Sequence, residues 1–182
     1  MKSILSQHQI ALTLKRLSKQ ILENHPGLTN CCLIGLQPRG IYFSDLIIEN
    51  LRQENGVEGI NYGKLDITFY RDDVRNSLHV ANKTDINFTI EGKNVILLDD
   101  VLYTGRTIRA ALDALLDFGR PSKVELCVLV DRRFSREFPI QATYIGRTID
   151  TFPNDKVKVL WEAQHERNEV VLIQTSDAAV NI

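Results

Sequence analysis

The first part of the chain has apolar residues at helical spacing. They recur from Ile10 to Ile21, and Ser6 with Gln9 three residues later has the spacing of a capping box. The following His25-Pro26-Gly27 combines two residue types that end helices. The pattern therefore predicts a first helix that begins after Ser6 and ends at this tripeptide.

The next segments alternate between strand and helix patterns. Residues 31–35 are typical of a short buried strand, and helical spacing returns over residues 41–53 after the turn Gln37-Pro38-Arg39-Gly40. Further along, the patterns predict a strand with Leu65, Ile67 and Phe69 on its buried face, a strand over residues 95–98, a helix over 107–118 and a strand over 124–130.

This repeated strand-helix order predicts an α/β fold, with a parallel sheet flanked by helices and right-handed crossovers. Ligands of such sheets bind outside the carboxyl ends of the strands. The loops after Gly35, Leu98 and Val130 should therefore line one crevice. No internal repeat, low-complexity tract or linker interrupts the chain, so we expect a single domain over residues 1–182.

The composition fits a folded protein. Of 182 residues, 43% are apolar, and 22 Lys and Arg stand against 23 Asp and Glu, which gives a formal net charge of −1. This balance removes the usual electrostatic argument for a dedicated nucleic-acid or membrane-surface protein, although a local basic face could still bind RNA. No apolar run approaches the roughly 18 residues of a membrane span, and the N-terminus becomes polar too soon for a signal peptide. We therefore expect a cytoplasmic protein without a membrane partner.

The strongest chemical signal lies between Val95 and Thr107. A buried strand is followed by Asp99 and Asp100, and then by a short Thr/Gly loop that opens a helix. A helix N-terminus offers unpaired N–H groups and a positive dipole end to a phosphate monoester, and the hydroxyls of Thr104 and Thr107 add donors. Acidic residues accept hydrogen bonds from ribose hydroxyls. Phosphate and ribose together indicate a nucleotide-like ligand.

Each of these features also has an ordinary explanation when it is taken alone. Asp99 and Asp100 could form a solvated strand end, and Thr104 or Thr107 could be no more than an N-cap. Their combination is much less common by chance. The two commonest nucleotide loops, GxxxxGK[ST] and GxGxxG, are absent from the sequence, which argues against a Walker-type ATPase.

Residues 95–107 resemble the phosphoribosyl-pyrophosphate (PRPP) signature of type I phosphoribosyltransferases. The PyrR family resembles a longer stretch, residues 95–132 (VILLDDVLYTGRTIRAALDALLDFGRPSKVELCVLVDR). The same family also matches, in the same order, residues 31–42 (CCLIGLQPRGIY), 66–73 (DITFYRDD) and 139–146 (PIQATYIG). That family comprises bifunctional pyrimidine-operon attenuators with uracil phosphoribosyltransferase activity. The resemblance implies the type I phosphoribosyltransferase fold, with a flexible hood and a small C-terminal lobe.

The resemblance also implies roles for individual residues. Asp99, Asp100 and Arg39 would be the catalytic residues, and the two carboxylates would contact the ribose hydroxyls. The loop from Thr104 to Thr107 would hold the 5′-phosphate, and Mg²⁺ would neutralise the leaving pyrophosphate. The full set implied to bind PRPP is Pro38, Arg39, Gly40, Arg71, Asp99, Asp100, Val101, Leu102, Tyr103, Thr104, Gly105, Arg106 and Thr107.

Two further expectations concern the pyrophosphate loop and the end of a strand. Members of the superfamily carry a non-proline cis peptide bond in this loop, and here it would be the bond between Pro38 and Arg39. Asp131 follows the predicted strand over residues 124–130. The resemblance suggests that Asp131, with Arg132, serves magnesium or the base, although an acidic residue at a strand end is common without such a role.

The sequence turns polar from Asp72 to Gly92. This stretch resembles the mobile hood of the superfamily, which closes over PRPP and excludes water. Arg71, Asp72 and Arg75 could then reach the pyrophosphate. A disordered insertion is the alternative interpretation.

The favoured reaction is the conversion of uracil and PRPP to UMP and pyrophosphate. Two alternatives stay open. One is a UMP-sensing, RNA-binding attenuator with little physiological catalysis, and the other is a purine phosphoribosyltransferase, because spacing does not reveal base specificity. The family resemblance also implies a homo-oligomer.

The evidence for RNA binding is mixed. Lys15, Arg16 and Arg147 match part of the surface that the family uses for RNA. Other positions at which basic residues or His would be expected carry instead Asn24, Ser135 and Gln141. Because phosphate contacts supply much of the affinity for RNA, we predict that RNA binds weakly or not at all.

Overall fold

The computed structural model describes residues 1–53, 55–71, 83–152 and 154–174. Three α-helices and eight strands lie within these ranges. The helices are α1 (Gln7–Asn24), α2 (Gly40–Gln53) and α3 (Arg106–Leu115). The strands are β1 (Lys2–Leu5), β2 (Cys31–Gln37), β3 (Asn61–Asp66), β4 (Asn94–Leu102), β5 (Lys123–Arg133), β6 (Tyr144–Asp150), β7 (Lys156–Leu160) and β8 (Glu169–Ile173).

Five strands form a parallel sheet in the order β3-β2-β4-β5-β6, which confirms the predicted α/β fold. The strands β1, β8 and β7 form a second, antiparallel sheet. This sheet is the predicted small lobe, but it is built from both ends of the described chain. The hydrophobic pattern did not indicate β1, because the four residues of this strand are too few to show a period.

Apolar side chains fill both faces of the parallel sheet. The inward faces of α1 and α2 pack on one side, around Leu17, Phe43 and Ile96. The inward face of α3 packs on the other side, around Ala111 and Val128. Burial on both faces explains why β4 and β5 carry nearly continuous apolar runs.

The start of α1 has the predicted capping box. The Ser6 hydroxyl accepts a hydrogen bond from the Gln9 amide at 3.4 Å, and the Gln9 side chain accepts one from the Ser6 amide at 2.9 Å. The helix ends at Asn24, directly before His25. Among the helices in the described ranges, none is both long and apolar enough to cross a membrane.

The prediction of a strand through Phe69 was wrong. β3 ends at Asp66, and Thr68–Tyr70 forms a short 3₁₀ turn in which Phe69 is 82% exposed. The cause is local, because one Asp66 carboxylate oxygen accepts hydrogen bonds from the Thr68 amide at 2.8 Å and the Thr68 hydroxyl at 2.6 Å. An Asp side chain that bonds two residues ahead turns the backbone away from the strand direction.

Part of the predicted hood packs against the sheet. The backbones of Asp85 and Lys64 exchange hydrogen bonds of 2.8 and 2.9 Å beside β3, and Ile90 is fully buried. The Gln37 side chain also donates to the Lys83 carbonyl at 3.0 Å. The remaining hood residues, including Asp72 and Arg75, lie outside the described residues.

β4 and β5 are longer than their apolar runs. β4 continues through Asp99 and Asp100 to Leu102, because β5 also continues and pairs Leu102 with Asp131. The two aspartates therefore lie inside a strand rather than after it, which corrects the expectation of a strand that ends at Leu98. The helix after this strand, α3, begins at Arg106 and ends at Leu115.

Candidate active site

The loop between β2 and α2 lies beside the acidic pair of β4. The Arg39 Nε atom is 3.3 Å from Asp100 Oδ2, and the Arg39 guanidinium also donates to the Val159 carbonyl at 3.4 Å. The cis peptide bond in this loop joins Gln37 to Pro38, so the expectation of a cis bond between Pro38 and Arg39 was wrong by one position. The physical reason is that a prolyl bond prefers trans by only about 0.5–1 kcal/mol, against about 3–4 kcal/mol for other peptide bonds.

Gly40 allows this loop to approach β4 closely. A Cβ atom at Gly40 would lie 2.8 Å from Asp99 Oδ1, 2.9 Å from the Leu98 carbonyl oxygen and 3.1 Å from the Asp99 Cα. Real Cβ atoms essentially never make contacts shorter than 3.0 Å. The absence of a side chain at Gly40 is therefore what brings Arg39 next to the acidic pair.

Both aspartates are buried, and their electrostatics reflect this. Asp99 Oδ1 accepts a hydrogen bond from the Asp100 amide at 2.9 Å, whereas Asp100 Oδ2 has the Arg39 charge nearby but no well-formed hydrogen bond. Burial raises the pKa of Asp99 well above its ordinary value, and the Asp100 charge raises this pKa further. Burial also raises the pKa of Asp100, against the opposing effect of Arg39. A ligand that donates hydrogen bonds or brings positive charge would stabilise the ionised form of such carboxyl groups.

The loop after β4 forms one wall of a cavity of about 250 Å³. Gly105, with a φ of +91°, precedes the first residue of α3, and the Thr104 hydroxyl accepts from the Arg106 amide at 3.4 Å. The cavity therefore meets a helix N-terminus, where backbone amides favour an anion. Its lining residues are Arg71, Asp99, Val101, Leu102, Tyr103, Thr104, Gly105, Arg106, Thr107 and Ile108.

A second cavity, of about 410 Å³, opens beside the Arg39 loop. Pro38 and Arg39 form one side, and residues 158–161 of the small lobe form the other. The Tyr42 ring stacks with the Trp161 ring at a centroid distance of 6.5 Å. The structure thus brings both predicted binding loops to the same edge of the sheet, and the small lobe borders that edge.

The structure also shows two arginines behind the Thr104–Thr107 loop, Arg132 and Arg136, and the sequence patterns did not single out Arg136 for this site. Arg132 is buried, and its guanidinium carbon lies 3.7 Å from the centre of the Tyr103 ring. Arg136 donates hydrogen bonds to the Tyr103 backbone carbonyl and to the Asp131 carboxylate. Periodicity could not have found these contacts, because both arginines reach Tyr103 in the loop after β4 through their side chains.

Asp131 was expected to serve magnesium or the base. Its carboxylate forms an ion pair with Arg136. Within the described residues, no three side chains of His, Cys, Asp or Glu are grouped as metal ligands. Mg²⁺ needs few protein ligands when substrate oxygens and waters complete its shell, and the buried Asp100 Oδ2 without a hydrogen bond is the type of oxygen it prefers. The residues present therefore fit a magnesium ion that is bound mainly through the substrate.

The three residues of the expected RNA surface are exposed and lie on two elements, Lys15 and Arg16 on α1 and Arg147 on β6. The Arg16 guanidinium donates to the carbonyls of Ile145 at 3.2 Å and Gly146 at 2.6 Å, and thereby ties α1 to β6. Lys15 lines the groove between α1 and α2 instead. Arg147 is exposed on β6.

Comparison with known proteins agrees with this geometry. The phosphoribosyl transferase domain family matches residues 1–165. A hypoxanthine phosphoribosyltransferase from Staphylococcus aureus has a similar structure, with a TM-score of 0.66 and 21% identity over 82% of this chain and 77% of that one. A glutamic acid variant at an invariant aspartic acid of an HPRT has a TM-score of 0.73 and 21% identity over 95% of both chains. Fold and family match together define a phosphoribosyltransferase, whose substrates are PRPP and a nucleobase.

Two relatives narrow this class. Bifunctional protein PyrR of Caldicellulosiruptor bescii is 43% identical over 175 residues, 95% of this chain and 95% of that protein. Bifunctional protein PyrR of Bacillus cereus (strain AH820) is 43% identical over 171 residues, 92% of this chain and 94% of that protein. The chain belongs to the PyrR family, as its motifs predicted.

Proposed function

We propose that this phosphoribosyltransferase uses uracil and forms UMP and pyrophosphate from PRPP. The observation that carries the proposal is the arrangement of Asp99 and Asp100 between the Arg39 loop and the Thr104–Thr107 loop. This arrangement offers separate places for a pyrophosphate, two ribose hydroxyls and a 5′-phosphate. The choice of uracil rests on the 43% identity to PyrR relatives, since the purine enzymes resemble the chain at only 21% identity.

In the proposed reaction, N1 of uracil forms a bond to the ribose C1 while the bond from C1 to the pyrophosphate oxygen breaks, and the N1 proton leaves. Positive charge develops on the ribose and negative charge on the leaving group. The enzyme therefore has to hold the reactants in line and stabilise these charges, without a protein nucleophile. The ionised forms of Asp99 and Asp100 would bind the ribose hydroxyls and stabilise the positive charge.

The remaining residues would bind the two phosphate groups. The amides of residues 104–107 and the N-terminus of α3 would hold the 5′-phosphate, and Arg39 would face the pyrophosphate. Arg71 lines the same cavity as Asp99, which supports a role for Arg71 in binding the ribose phosphate. Asp100 would contribute an oxygen toward a bound Mg²⁺, which would supply positive charge to neutralise the leaving pyrophosphate.

The test is a comparison of bases. The protein is incubated with PRPP, Mg²⁺ and uracil, hypoxanthine or guanine in turn, and formation of nucleotide and pyrophosphate is measured. We expect uracil to give the highest kcat/KM, because a site that hydrogen-bonds one base leaves buried polar groups unpaired with another. Faster turnover of hypoxanthine or guanine than of uracil would overturn the choice of base. The double variant Asp99→Asn, Asp100→Asn serves as the inactive control.

A second candidate function, attenuation through RNA, depends on the basic residues of α1 and β6. We propose that RNA contributes little, because two backbone carbonyls and the Gln20 side chain already accept hydrogen bonds from the exposed Arg16 guanidinium. Lys15 and Arg147 are exposed and could contact RNA. Tight binding of a pyrimidine-operon hairpin near physiological salt, strengthened by UMP, would favour the regulatory function instead.

A further inference from the structure

Arg136 is tied to the backbone around the phosphate-binding loop. It follows β5 and its side chain is 23% exposed, which is low for an arginine. One terminal nitrogen donates to the Arg132 carbonyl at 2.9 Å, the Nε donates to the Ile140 carbonyl at 3.0 Å, and the other terminal nitrogen donates to the Asp131 carboxylate. The same guanidinium also contacts the carbonyls of Leu102, at 3.5 Å, and Tyr103.

The next carbonyl of the loop is also bound from this side. The Thr104 carbonyl accepts hydrogen bonds from the amides of Glu137 at 2.9 Å and Phe138 at 3.2 Å. The carbonyls of residues 102–104 therefore all face the segment 136–138. In a trans peptide the N–H points opposite to the C=O of the same peptide unit, so the amides of residues 103–105 point away from this segment.

We propose that Arg136, held by Asp131, is a positioning residue that orients the backbone amides of the phosphate loop toward the 5′-phosphate. This inference rests on the proposed function, in which residues 104–107 bind that phosphate. A planar guanidinium can hold several carbonyls at fixed angles, whereas a lysine ammonium is a mobile point charge. Arg136 thus keeps the Leu102 and Tyr103 carbonyls away from the anion and directs the amides of residues 103 and 104 to the opposite side.

The experiment compares ligands with and without a 5′-phosphate. Calorimetric dissociation constants are measured for UMP and uridine with the wild type, Arg136→Ala, Arg136→Lys and a matched control, Arg133→Ala. Arg133 is the last residue of β5, three positions before Arg136, but its guanidinium pairs with Asp150 at 2.6 and 2.7 Å and with none of the loop carbonyls named above. Circular dichroism and the unfolding midpoint establish that each variant is folded.

We expect Arg136→Ala to weaken UMP binding about tenfold or more and to leave uridine binding unchanged, since misplacement of a binding group by about 1 Å has effects of this order. Arg136→Lys should lose most of the same preference for UMP, and Arg133→Ala should keep it. An equal loss of affinity for UMP and uridine in the folded Arg136→Ala variant would show a merely structural role. Unchanged UMP affinity, or full function of the lysine variant, would also overturn the proposal.

Asp131→Asn tests the partner of Arg136. If Asp131 positions Arg136, the KM for PRPP rises at saturating Mg²⁺ and the Mg²⁺ requirement is unchanged. A raised Mg²⁺ requirement with an unchanged KM for PRPP would assign Asp131 to the metal and overturn its positioning role. Binding of PRPP by the wild type without turnover of uracil would contradict the proposed base alone, so the two proposals fail separately.

Discussion

Gly40→Ala tests whether the close approach of the Arg39 loop to β4 is needed for catalysis. The added methyl group would lie 2.8 Å from Asp99 Oδ1 and 2.9 Å from the Leu98 carbonyl, half an ångström or more inside the 3.4 Å at which ordinary contact begins. The Leu98 carbonyl belongs to a central strand that is paired on both sides, so it cannot move away easily. The loop and α2 must therefore shift instead.

Two effects on stability oppose each other. Overpacking of this kind costs about 1–3 kcal/mol. Replacement of a helical glycine by alanine returns about 0.5–1 kcal/mol, and less at the first residue of a helix. The clash is larger, so we expect a net loss of about 1–2 kcal/mol, or about 2–8 °C in Tm for a chain of this size. The displaced Arg39 should lower kcat/KM for PRPP by about tenfold to a hundredfold.

The assay measures Tm and kcat/KM for PRPP in Gly40→Ala and in the control Gly56→Ala. Gly56 has a φ of +63° and nothing within 4 Å of the position of a Cβ atom, so alanine there strains the backbone without any steric clash. This strain is worth about 1–2 kcal/mol, which matches the stability loss expected at Gly40. The control should therefore lose stability and keep its activity. Wild-type Tm and kcat/KM in Gly40→Ala would refute the reasoning.

Three further predictions concern charged side chains. The double variant Asp99→Asn, Asp100→Asn should abolish turnover yet raise the free energy of unfolding at pH 7. Because burial raises the pKa of both aspartates, their ionisation destabilises the folded wild type. In urea titrations, the difference in unfolding free energy between variant and wild type should therefore widen from about pH 4 to pH 7. Glu125→Gln should lower the free energy of unfolding by about 1–3 kcal/mol at pH 7. Burial alone would raise the pKa of Glu125, but hydrogen bonds from Lys123, His25 and Tyr144 outweigh this effect and lower it. The loss of stability should therefore shrink as the pH falls below about 4. Arg16→Ala should lower Tm and leave the weak RNA affinity unchanged in titrations at fixed salt.

The order of helices and strands could be predicted because most of them bury an apolar face. The helical stripe from Ile10 to Ile21 and the apolar run over residues 95–98 report such faces directly. The Asp99-Asp100 pair and the following Thr/Gly loop could be predicted as a site because their chemistry is local. The neighbouring residues in the sequence indicate which polar groups this segment presents and at which end of the strand it presents them.

Features that depend on distant pairing could not be predicted. β4 reaches Leu102 only because β5 continues beside it, and β1 exists only because β8 supplies its partner. The contacts of Arg136 have the same origin. The Arg136 guanidinium contacts the Tyr103 carbonyl, which lies 33 residues earlier in the chain. Such a contact produces no periodic pattern in the sequence.

The central position of β4 supports the proposal that one short segment binds three chemical groups. From the β2 side, Gly40 brings Arg39 to Asp100, and from the β5 side Arg136 holds the carbonyls at the end of β4. The buried aspartates lie between these two supports, where their ionisation is unfavourable until a ligand supplies hydrogen bonds or positive charge. A reactant that carries a phosphate at each end and hydroxyls between them would match the three proposed binding places, which are held in position by supports from two different neighbouring strands.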